Sequence, residues 1–551
     1  MTRSRLSALI VICLGSVLFL WLGTVLQRTT TDLFASPDET AVMRFAQSWN
    51  IRDGFRVAPG LPTDLMDIAG LHGRSLVRDG AWLVPVGFLG MPLIVAMLER
   101  MGSGFGVYFT PLLVLSSAIP LYLLIRSYRR RVALFTVIFY LSFPTVLLYS
   151  NRALFPNLPV LACALWALWA WRLIGENSSD RHAWREQGIA MIAGMATGLA
   201  GLIRPTELIW ILPWIGFALA AGLGLLDAKR MSRPTRAQWI RIMIASIIAI
   251  GIGCIGWWVA RQTYGGSHGL IPIGYLIHDQ ANIASSTAGA AIGAAKSFTL
   301  VQLLPFGIHP RTLWTNIHAY LFTSFGLWVG CALIGVIIDL RRTWMNHRQR
   351  GWFYLVTAWT VCSLLFLYGQ SVFTDNITGQ VTLGNSFLRY LLPVAPLIAF
   401  GCAVVVDAIC ARQLRGMILG VFAVTLLVLL NIVTADARDD EGILRTRYEL
   451  RRYQVIRLAT DEQLSHGSVI LSERSEKIFE SGPYVSVSPI PSSATLERLQ
   501  LGSVPVYYFT RTFTSDVDAS ADPVIGVFGD AIPIFHLQNE TLYALPVKGA
   551  Y

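Results

Sequence analysis

Hydrophobic positions along this 551-residue chain do not alternate with polar ones; they run in long blocks. Blocks near 6–26, 106–125, 132–150, 157–174, 188–203, 207–226, 242–260, 318–339, 352–369, 387–409 and 416–434 have spanning length. A helix needs roughly 17–25 apolar residues to cross the hydrocarbon of a bilayer. The pattern predicts a polytopic α-helical membrane protein with about 11 transmembrane helices, followed by a small soluble α/β domain at the C-terminus. The first block follows a basic start, "MTRSR", and lacks a clean small-x-small cleavage site, so it reads as an uncleaved span.

Between the blocks, basic clusters recur at alternate connections: "RSYRRR", "RHAWR", "KRMSRPTRAQWIR", "RRTWMNHRQR" and "ARQLR". The positive-inside rule places these in the cytoplasm, with the N-terminus inside and the C-terminus outside. Two outer loops are then long. One runs from about 27 to 105 and carries "GAWLVPVGFLGMPLIVAMLERMG", an apolar stretch broken by Pro85, Gly87, Gly90 and Pro92. It reads as a helix lying at the membrane surface rather than as a span. The other, about 261–317, carries the small-residue run "IASSTAGAAIGAA".

The division expected is a transmembrane domain over 1–435 and an outer-face domain over 436–551. The second opens with a charged helical connector, "DARDDEGILRTRYELRRYQVIRLATDEQL". Short β-prone runs follow, "SVILSE", "VPVYYFT", "PVIGVF" and "TLYALPV", punctuated by Gly, Pro and Ser.

Composition sharpens this reading. The chain is 54% hydrophobic and 14% charged, against about 25% charged in soluble proteins. The formal net charge of +11 would suit nucleic acid, but it sits in the short loops and no nucleic-acid motif accompanies it. The seven cysteines all lie in apolar segments, so no disulfide framework or zinc spacing is expected. No phosphate-cradling loop of an ATP motor and no zinc-protease His pair is present. "GGSHG", 265–269, fits a nucleophile-elbow pattern but follows a membrane helix rather than a strand. "GMATG", 194–198, suits close helix packing.

Candidate chemistry lies at the outer ends of the spans. In "SPDET", Ser36 caps a helix, Pro37 takes its first position, and Asp38 and Glu39 favour its positive end. A capped helix start is also a rigid mount for a reacting carboxylate. Arg152, Arg204, Arg311 and Arg389 sit where positive-inside statistics disfavour charge, with His309 beside Arg311. They read either as snorkelling or structural side chains, one pairing with Glu207, or as a cluster for an anionic lipid head group.

Four stretches together resemble the GT-C glycosyltransferases that use polyprenyl-phosphate sugars: "SPDETAVMRFAQSW", "FPTVLLYSNRALFPNLPVLACALWALW", "GLIRPTELIWILP" and "RYLLPVAPLIAFG". The nearest likenesses are the protein O-mannosyltransferases and the lipid A aminoarabinose transferases. The resemblance implies inverting transfer from a polyprenyl-phosphate-linked sugar donor to a hydroxyl of an extracytoplasmic acceptor, at the outer face of the cytoplasmic membrane. It implies Asp38 as general base, with Glu39 orienting the site or holding a divalent metal. Arg204, Arg311 and Arg389, with Arg152 and His309, would bind the donor phosphate. Asn157 stands where many relatives carry an acidic residue, a departure that counts against a metal site or second acidic role there. No nucleotide-sugar binding is implied, because the donor is lipid-linked. The alternatives are a transporter or flippase for a lipid-linked sugar, in which Asp38 gates or couples, and an inactive scaffold.

Overall fold

The computed structural model describes residues 32–61, 65, 70–79, 81–176, 183–227, 234–264, 307–341, 347–371, 373, 381–411, 413–437, 441–513, 518 and 521–548, with 18, 21–23 and 25. Most of the first expected span lies outside these residues. So do "GGSHG" and "IASSTAGAAIGAA".

In chain order, the elements begin with α1 (Pro37–Ser48), the hairpin β1 (Leu76–Asp79) and β2 (Trp82–Pro85), and α2 (Gly90–Met101). Long helices follow: α3 (Gly106–Arg126), α4 (Arg130–Ser142), α5 (Pro144–Asn151), α6 (Asn157–Glu176), α7 (Ala183–Ile203), α8 (Leu208–Gly222) and α9 (Arg236–Tyr264). Next come α10 (Pro310–Asn316), α11 (Gly326–Arg341), α12 (His347–Tyr368), α13 (Ser386–Tyr390), α14 (Ala395–Cys410), α15 (Gln413–Ala437) and α16 (Ile443–Gln463). The chain closes with β3 (Val469–Ser472), α17 (Glu476–Phe479), β4 (Val485–Val487), α18 (Ser493–Gln500), β5 (Val506–Arg511), α19 (Pro523–Phe528), β6 (Ile532–Leu537) and β7 (Glu540–Leu545).

Among the described residues, eight helices are long and apolar enough to cross a membrane, or ten if each of two bent pairs is one span. The protein is therefore a multi-pass membrane protein. Two expected spans are bent. The stretch 132–150 breaks by 50° at Phe143, the residue before Pro144, where the proline ring disfavours helical backbone. The stretch 318–339 breaks by 88° at Phe325, after a wide-turn segment at 317–324.

Contacts divide the chain into two compact units. The first, built on residues 108–256 and 282–445, is the helical bundle. Here α6 packs on α7 and α8, and α14 on α4, α11 and α15. Gly194 and Gly198 let α7 lie directly on α9: a Cβ at Gly194 would fall 2.5 Å from the Ala245 carbonyl oxygen. The packing role expected of "GMATG" is what the structure shows.

The second unit joins residues 29–107 and 257–281 to 446–551. Its five-stranded sheet runs β4-β3-β5-β7-β6. β3 is parallel to β4 and β5, with Val469 opposite both Val485 and Val506, while β7 is antiparallel to β5 and β6. Alternate residues of a strand face opposite ways, so the sheet has two cores. Val469, Leu471, Val506 and Tyr508 pack with Leu499 and Phe528 on one face. Ile470, Phe509 and Leu542 pack with Ile456 and Phe479 on the other. Leu61, Leu65 and Leu71 of the first long loop enter the first core, and Leu33 the second.

Two local expectations need correction. "PVIGVF" is helix α19, not a strand: Asp522 caps it by accepting from the Val524 and Ile525 N–H groups, and Pro523 takes the first position. That is the same start signal as in "SPDET". The stretch read as one surface helix holds the four-residue hairpin strand β2 and then the 12-residue helix α2, too short to cross a bilayer.

Candidate active site

In the helical unit, three of the predicted arginines gather on an aromatic stack. The Ile203–Arg204–Pro205 step ends α7, because proline pushes the residue before it out of helical backbone. This leaves Arg204 ahead of a single tight turn, Pro205–Glu207, and buries it. Its guanidinium lies 3.4 Å from Glu207 Oε1 and donates to the Tyr368 hydroxyl at 3.2 Å. Tyr368 in turn donates to Glu207 Oε1 at 3.0 Å, and the Trp210 indole N–H donates to the other Glu207 oxygen. The Tyr368 and Tyr390 rings stack with centroids 4.2 Å apart, and the Arg204 guanidinium lies over both, at 5.1 and 4.6 Å.

Arg389 continues the arrangement. It is buried on the short helix α13, whose cap Asn385 accepts from the Phe387 N–H. The Arg389 guanidinium lies 4.2 Å from the Phe155 ring centre and 5.3 Å from that of Tyr390, and donates to Ser386 Oγ at 2.9 Å. Arg152, at the end of α5, covers Phe155 as well, at 4.7 Å. Three guanidinium groups and the carboxylate of Glu207 thus share one aromatic support, a donor-rich arrangement that suits an anion. Asn157, at the start of α6, is buried with its side-chain oxygen lacking a hydrogen bond among the described residues.

An apolar cavity adjoins this cluster. Its lining includes Trp210, the residue bonded to Glu207, together with Pro393, Leu165, Phe400, Tyr128 and Arg172. Arg311 and His309 behave differently. Both are exposed, His309 at the cap of α10 and Arg311 in its first turn, and the His309 backbone N–H donates to the Gln370 side chain at 2.6 Å. Among the described residues, no contact joins their side chains to the aromatic stack.

The carboxylates lie in the second unit. Ser36 caps α1 by accepting from the Asp38 N–H, with Pro37 first in the helix. Asp38 is exposed and accepts from the Ser75 hydroxyl at 2.8 Å, whereas Glu39 is buried. Around them are groups the sequence reading did not single out. Arg74 pairs with Glu476 at 2.6 Å, Arg44 stands 3.8 Å from Glu480, and the Lys477 ammonium donates to the Ala35 carbonyl. Glu476 and Glu480 are four residues apart, a helical spacing that puts both on one face. Burial holds the Glu480 carboxyl up at about 8; Arg44 and Arg74 pull it down, while Glu476 and Asp38 push it up. Burial also lowers the His72 imidazole. Among the described residues, no group of three or more His, Cys, Asp or Glu is arranged to hold a metal ion.

A family model of dolichyl-phosphate-mannose-protein mannosyltransferases matches residues 85–250. The structure is similar to that of ArnT from Cupriavidus metallidurans bound to undecaprenyl phosphate, with a TM-score of 0.56 at 11% identity. That likeness covers 98% of this chain and 99% of the other. The fold is that of ArnT. The apo state of the same ArnT gives a TM-score of 0.52, again at 11% identity, over 99% of each chain. ArnT is a lipid A aminoarabinose transferase, so both likenesses drawn from the sequence motifs recur in the comparisons. A search of curated proteins finds no match.

Proposed function

We propose that this GT-C protein transfers a sugar, with inversion, from a polyprenyl-phosphate donor to a hydroxyl group of an acceptor outside the cytoplasm. The observation that carries the reading is the buried arginine cluster, whose Glu207 is bonded by Trp210, a residue that also lines an apolar cavity. A phosphate needs several strong donors at a membrane edge, and a prenyl chain needs an apolar groove. The mannosyltransferase family match and the undecaprenyl phosphate bound to the similar ArnT support the same donor class.

In the proposed reaction, Asp38 takes the proton of the acceptor hydroxyl as its oxygen attacks the anomeric carbon. The bond from that carbon to the phosphate oxygen breaks, and polyprenyl phosphate leaves with the electron pair. Arg204 and Arg389, with Arg152, stabilise the negative charge that builds on the phosphate. Glu207 and the tyrosine pair hold Arg204 in place. Arg311 and His309 have a weaker claim, resting on the resemblance alone, and Glu39 is assigned an orienting role. The site works at the outer face of the cytoplasmic membrane.

The test is a transfer assay on the purified full chain in liposomes. Radiolabelled polyprenyl-phosphate sugars are offered with an envelope extract as acceptor. General-base removal typically costs about 10²–10⁴-fold, so Asp38→Asn should lose transfer by at least about 100-fold while keeping its unfolding midpoint. Donor binding without transfer by either protein would move the assignment to a transporter or scaffold.

A further inference from the structure

We propose that Glu480, in the C-terminal segment, is a positioning residue for Asp38: its carboxyl group braces the 72–75 loop whose Ser75 hydrogen-bonds that carboxylate. The inference rests on Asp38 being the general base.

Glu480 follows α17 directly and its N–H donates to the Glu476 carbonyl. Its side chain is buried, and neither carboxyl oxygen makes a hydrogen bond among the described residues. Such a group is costly when charged. What faces it is specific. A Cβ on Gly73 would come within 3.3 Å of the Glu480 carboxyl, so the loop backbone lies directly on it. One residue on, Arg74 pairs with Glu476, and the next residue, Ser75, donates to Asp38. The His72 carbonyl accepts from the Ser488 N–H, which ties the other end of the loop to the same segment. Arg44 approaches Glu480 from α1, the helix that carries Asp38. Loop and helix are thus both held against one buried acid.

The charged groups facing Glu480 are Arg44 and Asp38 from α1, Arg74 from the loop and Glu476 from its own turn. Burial, helped by Glu476 and Asp38, pushes the carboxyl up to about 8 against the opposing pull of Arg44 and Arg74. The folded-state value is raised above the ordinary carboxylate range. The braced state is therefore favoured below that pH and is lost as pH rises through it. Charging the group places a third negative charge beside Glu476 and Asp38, under the loop backbone.

The experiment compares wild type, Glu480→Gln and Arg44→Gln as full-length protein in liposomes. Transfer is measured from pH 6 to 9.5, and amide exchange of residues 72–79 is followed over the same range, corrected for intrinsic rate. Wild-type kcat should fall at least fivefold between pH 7 and 9, with at least tenfold loss of loop protection. Glu480→Gln keeps the neutral form at every pH. It should stay within threefold of wild type at pH 7 and lose both pH effects. Arg44→Gln removes the cation that favours ionisation and should move both transitions to higher pH. Wild-type behaviour in both variants overturns the proposal. So does a change in exchange without a change in the transfer profile, when Asp38→Asn is inactive. Failure of the base reading looks different: Asp38→Asn then turns over at the wild-type rate, whatever the Glu480 variants do.

Discussion

Arg204 carries more of the candidate site than its neighbours, because three demands meet on one side chain. It pairs with Glu207, donates to Tyr368 and covers the face of Tyr390. Lysine supplies a point charge but neither the planar fork nor the stack. A hydrogen bond to a charged group is worth about 1.5–3 kcal/mol, roughly 10–100-fold in binding. Arg204→Lys should therefore raise the donor KM by about 10-fold and Arg204→Ala by about 100-fold. A donor titration at fixed acceptor, with free polyprenyl phosphate as competitor, reads both. Equal affinity in the lysine variant would mean the stack does not shape donor binding. The arginines were legible in the sequence because charge at an outer span end is statistically out of place. Tyr368, Tyr390 and Phe155 were not, since aromatic residues at span ends are ordinary in membrane proteins. Asp38 was visible through its helix-start signature. Glu480 was not, because only the folded chain brings it against the 72–75 loop, although its helical spacing from Glu476 was there to be read.

At the scale of elements, the two helix starts with an acidic residue beside proline make a useful pair. In α1 the cap is Ser36 and the acid sits inside the first turn. In α19 the cap is Asp522 itself, which accepts from two backbone N–H groups and from the Tyr508 hydroxyl. Losing a cap typically costs about 0.5–2 kcal/mol. Asp522→Ala should cost about 1–2 kcal/mol, since the Tyr508 bond goes too. A lowered unfolding midpoint of the C-terminal segment, followed by tryptic cleavage on heating, would show it; no change would mean that packing alone holds α19. The expected strand at "PVIGVF" failed because β-branched residues outweighed the cap in that reading, and six residues are too few for periodicity to arbitrate. The long spans were readable since burial in lipid demands uninterrupted apolar length. The bends at Phe143 and Phe325 break that length without breaking hydropathy, so the second was invisible and the first was marked only by Pro144. Strands β4 and β6 were missed for a different reason: three residues of "VSV" and the exposed edge "IPIFHL" carry almost no pattern.

Across the whole molecule, the sequence made the basic loops one set by alternation, and the packing of the helical unit bears on that set independently. Arg129 of "RSYRRR" pairs with Asp407 at 2.8 Å, four residues before "ARQLR". Arg172 donates to the Leu124 carbonyl and covers Tyr128. Gln238 reaches the Gly175 carbonyl, and Arg241 pairs with Glu186. Asp339 accepts from Tyr354 and Arg350 donates to the Leu340 carbonyl, while Gly335 of α11 lies directly on Gly401 of α14, the helix that leads into "ARQLR". Cross-links of this kind tie the five basic connections to one end of the bundle. Arg204 and Arg389 lie at the other ends of the helices that carry these loops. A bundle with its basic loops at one end has one favoured orientation in a membrane. By that rule the basic end is expected in the cytoplasm, and the odd number of spans expected from the sequence then predicts an external C-terminus. In intact cells, a membrane-impermeant maleimide should label Ser493→Cys, in the C-terminal segment, and spare Ser127→Cys, in the first basic loop. Permeabilised cells should label both, and wild type sets the background from the native cysteines. The reverse pattern in intact cells would put the basic loops outside and the C-terminal segment inside, which is incompatible with the proposed outer-face transfer.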